Sequence, residues 1–288
     1  MAIDYDHLMN FDIPEVEQHY GLREVAHYGL SVGLGQDPMD LQQLAYTGAL
    51  GDDVRAMPAM ANVLGHPGFW LGNPETGVDA LRLVHGEQGM TIHEPLPSEG
   101  HIRAKTRVVG LIDKGAGKGA LLYSQKEIHD ARSGVLLATC RGTTFLRGDG
   151  GFGGPTGPAK EPHRVPDTAP DHVFETPTRP EQALYYRWNG DTNPLHMDPR
   201  VAQKAGFERP ILHGLCTFGA AAHALLAVLC SYDATRFGSM DGRFTAHVFP
   251  GETLRTEIWN DGSFRTHVVE RDKIAIGNGL FKLRRDAT

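Results

Sequence analysis

"HGLCTFGAAAHALLAVLC", residues 213–230, decides the fold. Leu215, Phe218, Ala222, Leu225, Leu226 and Leu229 recur at helical spacing, and the positions between them are nearly all small or apolar too. A helix with one apolar stripe lies on a surface, whereas a helix apolar almost all round has to be wrapped. The wrapping follows in "ETLRTEIWNDGSFRTHVVERDKIAIGNGLFKLR", residues 252–284, which reads as strands with turns at "NDG" and "ERD". The second half of the chain is therefore expected to be one buried helix and a curved antiparallel sheet, an α+β arrangement.

The first half carries a similar layout. "HIRAKTRVVGLID" (101–113) and "LLYSQKEIHDARSGVLLATCRGTTFLR" (121–147) read as long strands around the turn "KGAGKG". "PSEGHIRAKT" (97–106) also echoes "PGETLRTE" (250–257), which suggests duplication. The helix is the difference. "VRAMPAMANVLGHPGFWLGNPETG" is broken by Pro58, Gly65, Pro67 and Gly72, so an equivalent helix there is short or missing. Between the halves, "GDGGFGGPTGPAKEPHRVPDTAPDH" (148–172) is dense in Gly and Pro and has no periodicity. The expected organisation is an N-terminal unit (1–147), a linker (148–172) and a C-terminal unit (173–288). "GDGGFG" fits a dinucleotide-binding glycine pattern, but Pro155 and Pro158 follow where a helix is required, so it reads as linker.

With 40% apolar and 22% charged residues among 288, the composition is that of a soluble globular protein. A net charge of −7, with no Lys or Arg stripe, argues against nucleic acid or an anionic membrane as partner. No stretch approaches the roughly 20 apolar residues of a spanning helix, and the acidic start is unlike a signal peptide. A cytoplasmic location is expected. Cys140, Cys216 and Cys230 fit neither a disulfide framework nor a zinc site and read as small core residues.

Chemistry concentrates in "NGDTNPLHMDP", residues 189–199. Pro194 pushes Asn193 out of the helical region, so Asp191 to Leu195 is expected to be an irregular extended loop. Asp198 followed by Pro199 is a helix cap, with Gly206 as the stop. His196 then lies just before a helix, with Asp191 in a loop that can fold back on it. A carboxylate, a carboxamide and an imidazole around one water can move protons between that water and carbon. Further on, "RPILHGLCTFG" (209–219) sets His213 and Gly214 at the amino end of the buried helix. Glycine permits close approach, and unpaired amides at a helix start attract negative charge, which together make an oxyanion hole. Asp and Asn before a helix are commonly turn formers, and that is the alternative reading of the loop. A rival from another reaction class is an iron triad of His196, Asp198 and a distant His247 or His267, although Asp198 is already explained as the cap.

"YRWNGDTNPLHMDPRVAQKAGF" followed by "RPILHGLCTFG" resembles the signature of the type 2, (R)-specific enoyl-CoA hydratases, the MaoC-like family that includes the hydratase unit of the peroxisomal multifunctional enzyme type 2. "LVHGEQGMTIHEPLP", "DKGAGKGA", "RGDGGFGG" and "FPGETLRTEIW" extend the resemblance over roughly residues 20 to 285. It implies a tandem hot-dog, each half a curved antiparallel sheet around a helix, with the N-terminal helix reduced to admit an acyl tail. It also implies that Asp191 and His196 are the acid/base pair, that Asn193 helps hold the water, and that the Gly214 amide polarises a thioester carbonyl. The implied reaction is reversible syn hydration of a trans-2-enoyl-CoA to an (R)-3-hydroxyacyl-CoA, without metal or redox cofactor, in a homodimer. Glu87, His213, Lys114, Lys118, Arg243 and Phe244 are candidate substrate contacts; a strand start explains Glu87, and a solvated turn the lysines, equally well. Asn189 and His247 depart from the usual Ser or Thr and Pro of the pattern. A thioesterase or a non-catalytic acyl-CoA binding module is the alternative on the same fold.

Overall fold

The computed structural model describes residues 3–51 and 53–284. Side chains alternate between buried and open along much of residues 100–130, a period of two that builds strands, and residues 136–146 add a strand buried over Leu137 to Cys140 to complete a meander. Its strands are β3 (Gly100–Asp113), β4 (Ala120–Asp130) and β5 (Leu136–Leu146), joined by β1 (Val16–Tyr20) and β2 (Leu83–Ile92). The second half repeats the pattern with β6 (His172–Pro177), β7 (Phe237–Phe244), β8 (Thr253–Ile258), β9 (Ser263–Val268) and β10 (Lys273–Leu283). All pairings are antiparallel, in the order β1-β3-β4-β5-β2-β7-β10-β9-β8-β6. The two half-sheets are thus one sheet of ten strands, closed at a seam where Glu87 to Thr91 of β2 face Arg243 to Ser239 of β7.

Among the described residues six helices accompany the sheet: α1 (Tyr5–Met9), α2 (Leu22–Ser31), α3 (Leu41–Leu44), α4 (Gln182–Tyr186), α5 (Pro199–Lys204) and α6 (Gly214–Cys230). The seventeen residues of α6 are the expected buried helix, with Cys216 through Leu226 all buried against β6, β7, β8 and β10. In the first half a single 3₁₀ turn, Pro58–Asn62, lies against β2 and β5 instead. Pro58 starts that turn and the chain does not continue it, so the helix of the first half is reduced as expected. One apolar cluster joins the halves, with Met57, Met60 and Met90 in the same core as Phe218, Leu225 and Met240. A smaller cluster sits under α1, around Leu8, Ile13, Leu111 and Leu122.

Residues 148–171 contain neither helix nor strand. Their start is tied down because the Asp113 carboxylate accepts the Gly151 and Gly153 amides, and further along Asn278 donates to the carbonyl of His163. All three cysteines are free and buried. Among the described residues no helix is long and apolar enough to cross a membrane.

Candidate active site

The loop between α4 and α5 is folded by its own polar groups. A 3₁₀ turn, Arg187–Asn189, ends at Gly190 with φ +108°, a conformation that suits glycine and redirects the chain. Asp191 Oδ1 then accepts the Asn193 amide at 3.0 Å, and Asn193 Oδ1 accepts the Leu195 amide at 3.1 Å. The extended loop expected up to Leu195 is instead a second 3₁₀ turn, Pro194–His196. Asn193 holds its extended position before Pro194, as required, but its side chain caps the turn that begins there. Asn193 is exposed and its oxygen is committed to this cap.

Two histidines complete the loop's surroundings, and their partners fix their tautomers. His196 Nδ1 lies 2.9 Å from the Ile211 carbonyl oxygen, which can only accept. Nδ1 therefore carries the proton and Nε2 a lone pair. His213 Nε2 likewise donates to the Asp191 carbonyl at 3.2 Å, leaving Nδ1 buried with no partner among the described residues. The two rings adjoin in a tilted arrangement, with centroids 4.0 Å apart and planes at 31°. Burial holds His196 below the usual imidazole range, against its bond to Ile211 and the Asp191 charge. Burial, with the neighbouring His196, pushes His213 down to about 4. Both imidazoles are neutral at pH 7. His213 is 1% exposed, so it supports the His196 ring and the Asp191 backbone from beneath and presents no surface to a substrate.

Side-chain atoms of Asp191, His196 and His213 come within 4.8 Å of one another. Two imidazoles and a carboxylate are a donor set known for divalent metals, and lone pairs lie in the ring planes. The planes are tilted by 31°, and the bonds to Ile211 and to the Asp191 carbonyl leave one lone pair on each ring, at His196 Nε2 and His213 Nδ1. The rival iron triad has no geometry at all. Asp198 caps α5 through the Arg200 amide and pairs with the Arg200 side chain, His247 packs between Phe207 and Phe249, and His267 lies beside Glu257.

Gly214 opens α6 beside this pair. An amide in the first turn of a helix has no partner within the helix. A Cβ built on Gly214 would meet the Phe244 ring at 3.5 Å, ordinary contact, so the fold leaves room there that packing does not require. Phe244 faces the α6 side of the sheet, 6.4 Å from Phe218 between ring centroids.

The other candidate substrate contacts lie elsewhere. Glu87 and Arg243 face each other across the seam on the outer side of the sheet, with Arg243 Nη2 2.6 Å from Glu87 Oε1 and Thr143 donating to Oε2. They satisfy each other on the side turned away from α6, in the wall of a groove of 330 Å³ beneath Lys160 to His163. Lys114 sits over the Phe145 ring and Lys118 closes the β3–β4 turn. None of these four joins the Asp191–His196 cluster. Of the two departures in sequence, Asn189 donates to Ser31 Oγ at 2.8 Å and ties the site loop to α2. His247 lies beside the Arg271 guanidinium. Sequence reasoning passed over His85, whose ring reaches Phe244 on the inner face.

Residues 161–279 match the MaoC like domain, and residues 19–148 match the MFE-2 hydratase 2 N-terminal domain. The peroxisomal enoyl-CoA hydratase 2 of Arabidopsis thaliana is 40% identical over 94% of this chain and 93% of its own length. The chain belongs to the MaoC-like hydratase 2 family. A MaoC-like dehydratase from Phytophthora capsici superposes with a TM-score of 0.85 at 32% identity, covering 99% of this chain and 100% of that one. A Mycobacterium tuberculosis protein with a double hotdog fold shares the architecture alone, at a TM-score of 0.55 and 17% identity over 95% of this chain and 94% of that one. For this MaoC-like hydratase the fold is the tandem hot-dog expected from sequence.

Proposed function

We propose that the protein catalyses the reversible syn hydration of a trans-2-enoyl-CoA to an (R)-3-hydroxyacyl-CoA. One observation carries the assignment of residues: a neutral His196 presents its Nε2 lone pair within reach of the Asp191 carboxylate, beside the free amide of Gly214. A water between the pair attacks C3 of the enoyl group as its proton passes to His196 Nε2. The electron pair of the double bond moves to the thioester oxygen, where the Gly214 amide receives the developing charge. The enolate then collapses, C2 takes the proton back from His196, and both catalytic groups return to their starting state. Asp191 orients the water and stabilises the imidazolium between these steps. Asn193 shapes this loop through its cap, and its free amide nitrogen is what it can offer to the water.

The same proposal places the acyl tail in the N-terminal unit (1–147), where the reduced helix leaves space, and treats 148–172 as the linker to the C-terminal unit (173–288). A homodimer and a cytoplasmic location belong to the proposal as well. β2 and β7 already pair edge to edge within the chain, so a dimer has to use another surface. Loss of enoyl absorbance on adding crotonyl-CoA, with an (R)-configured product, tests the activity. Release of free thiol from a saturated acyl-CoA points instead to a thioesterase, and binding without turnover to a carrier module.

A further inference from the structure

His85 and Glu87 are two residues apart on β2, and on a regular strand they share a face. Here they do not. His85 stands opposite Thr144 and Glu87 opposite Thr143, so Gly86 is an extra residue, a bulge in the β2–β5 ladder. Beyond Gly86, Glu87 joins Arg243 and Thr143 on the outer face. Before it, His85 is turned to the inner face, where its ring meets Phe244 edge-on at 4.9 Å between centroids. Phe244 in turn borders Gly214. The bulge falls where the β2–β7 pairing stops, at Glu87 and Arg243, so the strands part just where the imidazole points in. A bulge beside a site is a means of re-aiming one side chain.

The chemistry of that imidazole is set by its partner. His85 Nε2 lies 3.1 Å from the Glu87 carbonyl oxygen, so Nε2 holds the proton and Nδ1 a lone pair. Burial keeps the ring below the usual imidazole range, against its bond to the Glu87 carbonyl, the nearby Gln88 side chain and the charge of Asp191 from the other half of the chain. His85 is half-buried and its Nδ1 is not walled in, so the lone pair is open to a donor from solvent or from a bound molecule. In the hydratase reading, on which this step rests, the thioester carbonyl is an acceptor only and goes to the Gly214 amide. The new 3-hydroxyl lies between Asp191 and His196. Of the remaining donors on an acyl-CoA, the amide N–H groups of the pantetheine arm follow the thioester, whereas the pantoyl hydroxyl, the ribose hydroxyl and the adenine amino group lie farther along. We infer that His85, brought into the site from the N-terminal half by the Gly86 bulge, is a substrate-contacting residue that accepts a hydrogen bond from a pantetheine amide.

The test compares His85→Leu, His85→Gln and the wild type by calorimetric binding of butyryl-CoA, which cannot be hydrated, together with crotonyl-CoA kinetics. One hydrogen bond of this kind predicts butyryl-CoA binding weakened about five- to tenfold in His85→Leu, and largely restored in His85→Gln, whose amide can accept. In turnover the loss falls on KM, with kcat nearly unchanged. Crotonyl thioesters of N-acetylcysteamine, which has one amide, and of propanethiol, which has none, separate the contact from general packing: His85→Leu is expected to slow the first and spare the second. Unchanged butyryl-CoA binding in His85→Leu overturns the inference, as does weakening seen only with (R)-3-hydroxybutyryl-CoA, which assigns His85 to the hydroxyl. Equal loss on both small thioesters, without rescue by glutamine, also overturns it and makes His85 a packing residue. Wild-type protein that binds butyryl-CoA yet turns over no crotonyl-CoA contradicts the hydratase reading and leaves the binding result for His85 standing.

Discussion

On the proposed mechanism Asp191 and His196 act on one water, so their losses should be non-additive. Asp191→Asn and His196→Ala are each expected to lower kcat by roughly 10²–10⁴-fold, with binding of a saturated acyl-CoA nearly unchanged, and the double variant should lose far less than the product. Asp198→Asn is the control. Asp198 serves the α5 cap and Arg200, which hold its carboxyl down at about 2, and asparagine keeps an acceptor for the cap, so most activity should remain. A dead Asp198→Asn, or near wild-type turnover in Asp191→Asn, reassigns the site. The pH profile follows from the direction of the His196 shift. Burial lowers it from the ordinary 6.5, and the base has to be neutral, so kcat/KM should be flat at neutral pH and fall only at pH values below 6.5. An acid limb above 6.5 contradicts a buried neutral His196. At this scale the sequence showed which residues meet, because the Asn-Pro and Asp-Pro pairs dictate the local chain path. It did not show tautomers, which depend on the distant carbonyls of Ile211 and Asp191, nor that Glu87 and Arg243 spend their charges on each other.

Helix α6 was legible because it is apolar all round, and its first residue is where packing and chemistry separate. A Cβ on Gly214 only touches Phe244, so Gly214→Ala should melt within a few degrees of the wild type while kcat/KM drops by roughly 10²-fold, because the methyl group blocks approach of the carbonyl to the amide. Unchanged turnover in this variant removes the oxyanion role. The same helix carries an acid-sensitive group away from the site. His223 is 2% exposed, with Nε2 beside the Tyr232 hydroxyl and Nδ1 unpartnered, and burial pushes it down to about 4. A folded-state value below the unfolded 6.5 contributes stability that is present above 6.5 and lost as pH falls through about 4. At 1.36 kcal/mol per pH unit this comes to roughly 3 kcal/mol at most. Unfolding free energy measured from pH 7 to 4 should therefore fall less steeply in His223→Leu than in the wild type. Strand β2 was the least legible element. Its Gly86 bulge breaks the alternation, and its partner β7 lies some 150 residues away in the chain, where no local pattern can specify it.

The halves are unequal partners in one fold. Residues 1–147 supply five strands whose inner face is covered at one end by α1 and its cluster and at the other by the Pro58–Asn62 turn, and α6 of the second half packs against that turn. Met57, Met60, Met90, Ile102 and Ala138 are buried in a core that also needs Phe218, Leu225 and Met240. Cutting the chain in the linker uncovers this surface and opens the β2 edge along Glu87 to Thr91, a row of unpaired backbone groups next to an apolar face. Such a fragment has lost both the helix that fills its sheet and the strand that closes its edge. Residues 1–147 expressed alone are expected to be insoluble, or soluble without a cooperative melt, and co-expression with residues 173–288 should recover soluble protein if the seam can form between separate chains. The intact protein should unfold in a single transition seen alike by fluorescence and by circular dichroism. A fragment of residues 1–147 that is soluble and melts cooperatively, or two separated transitions in the whole chain, contradicts a shared core.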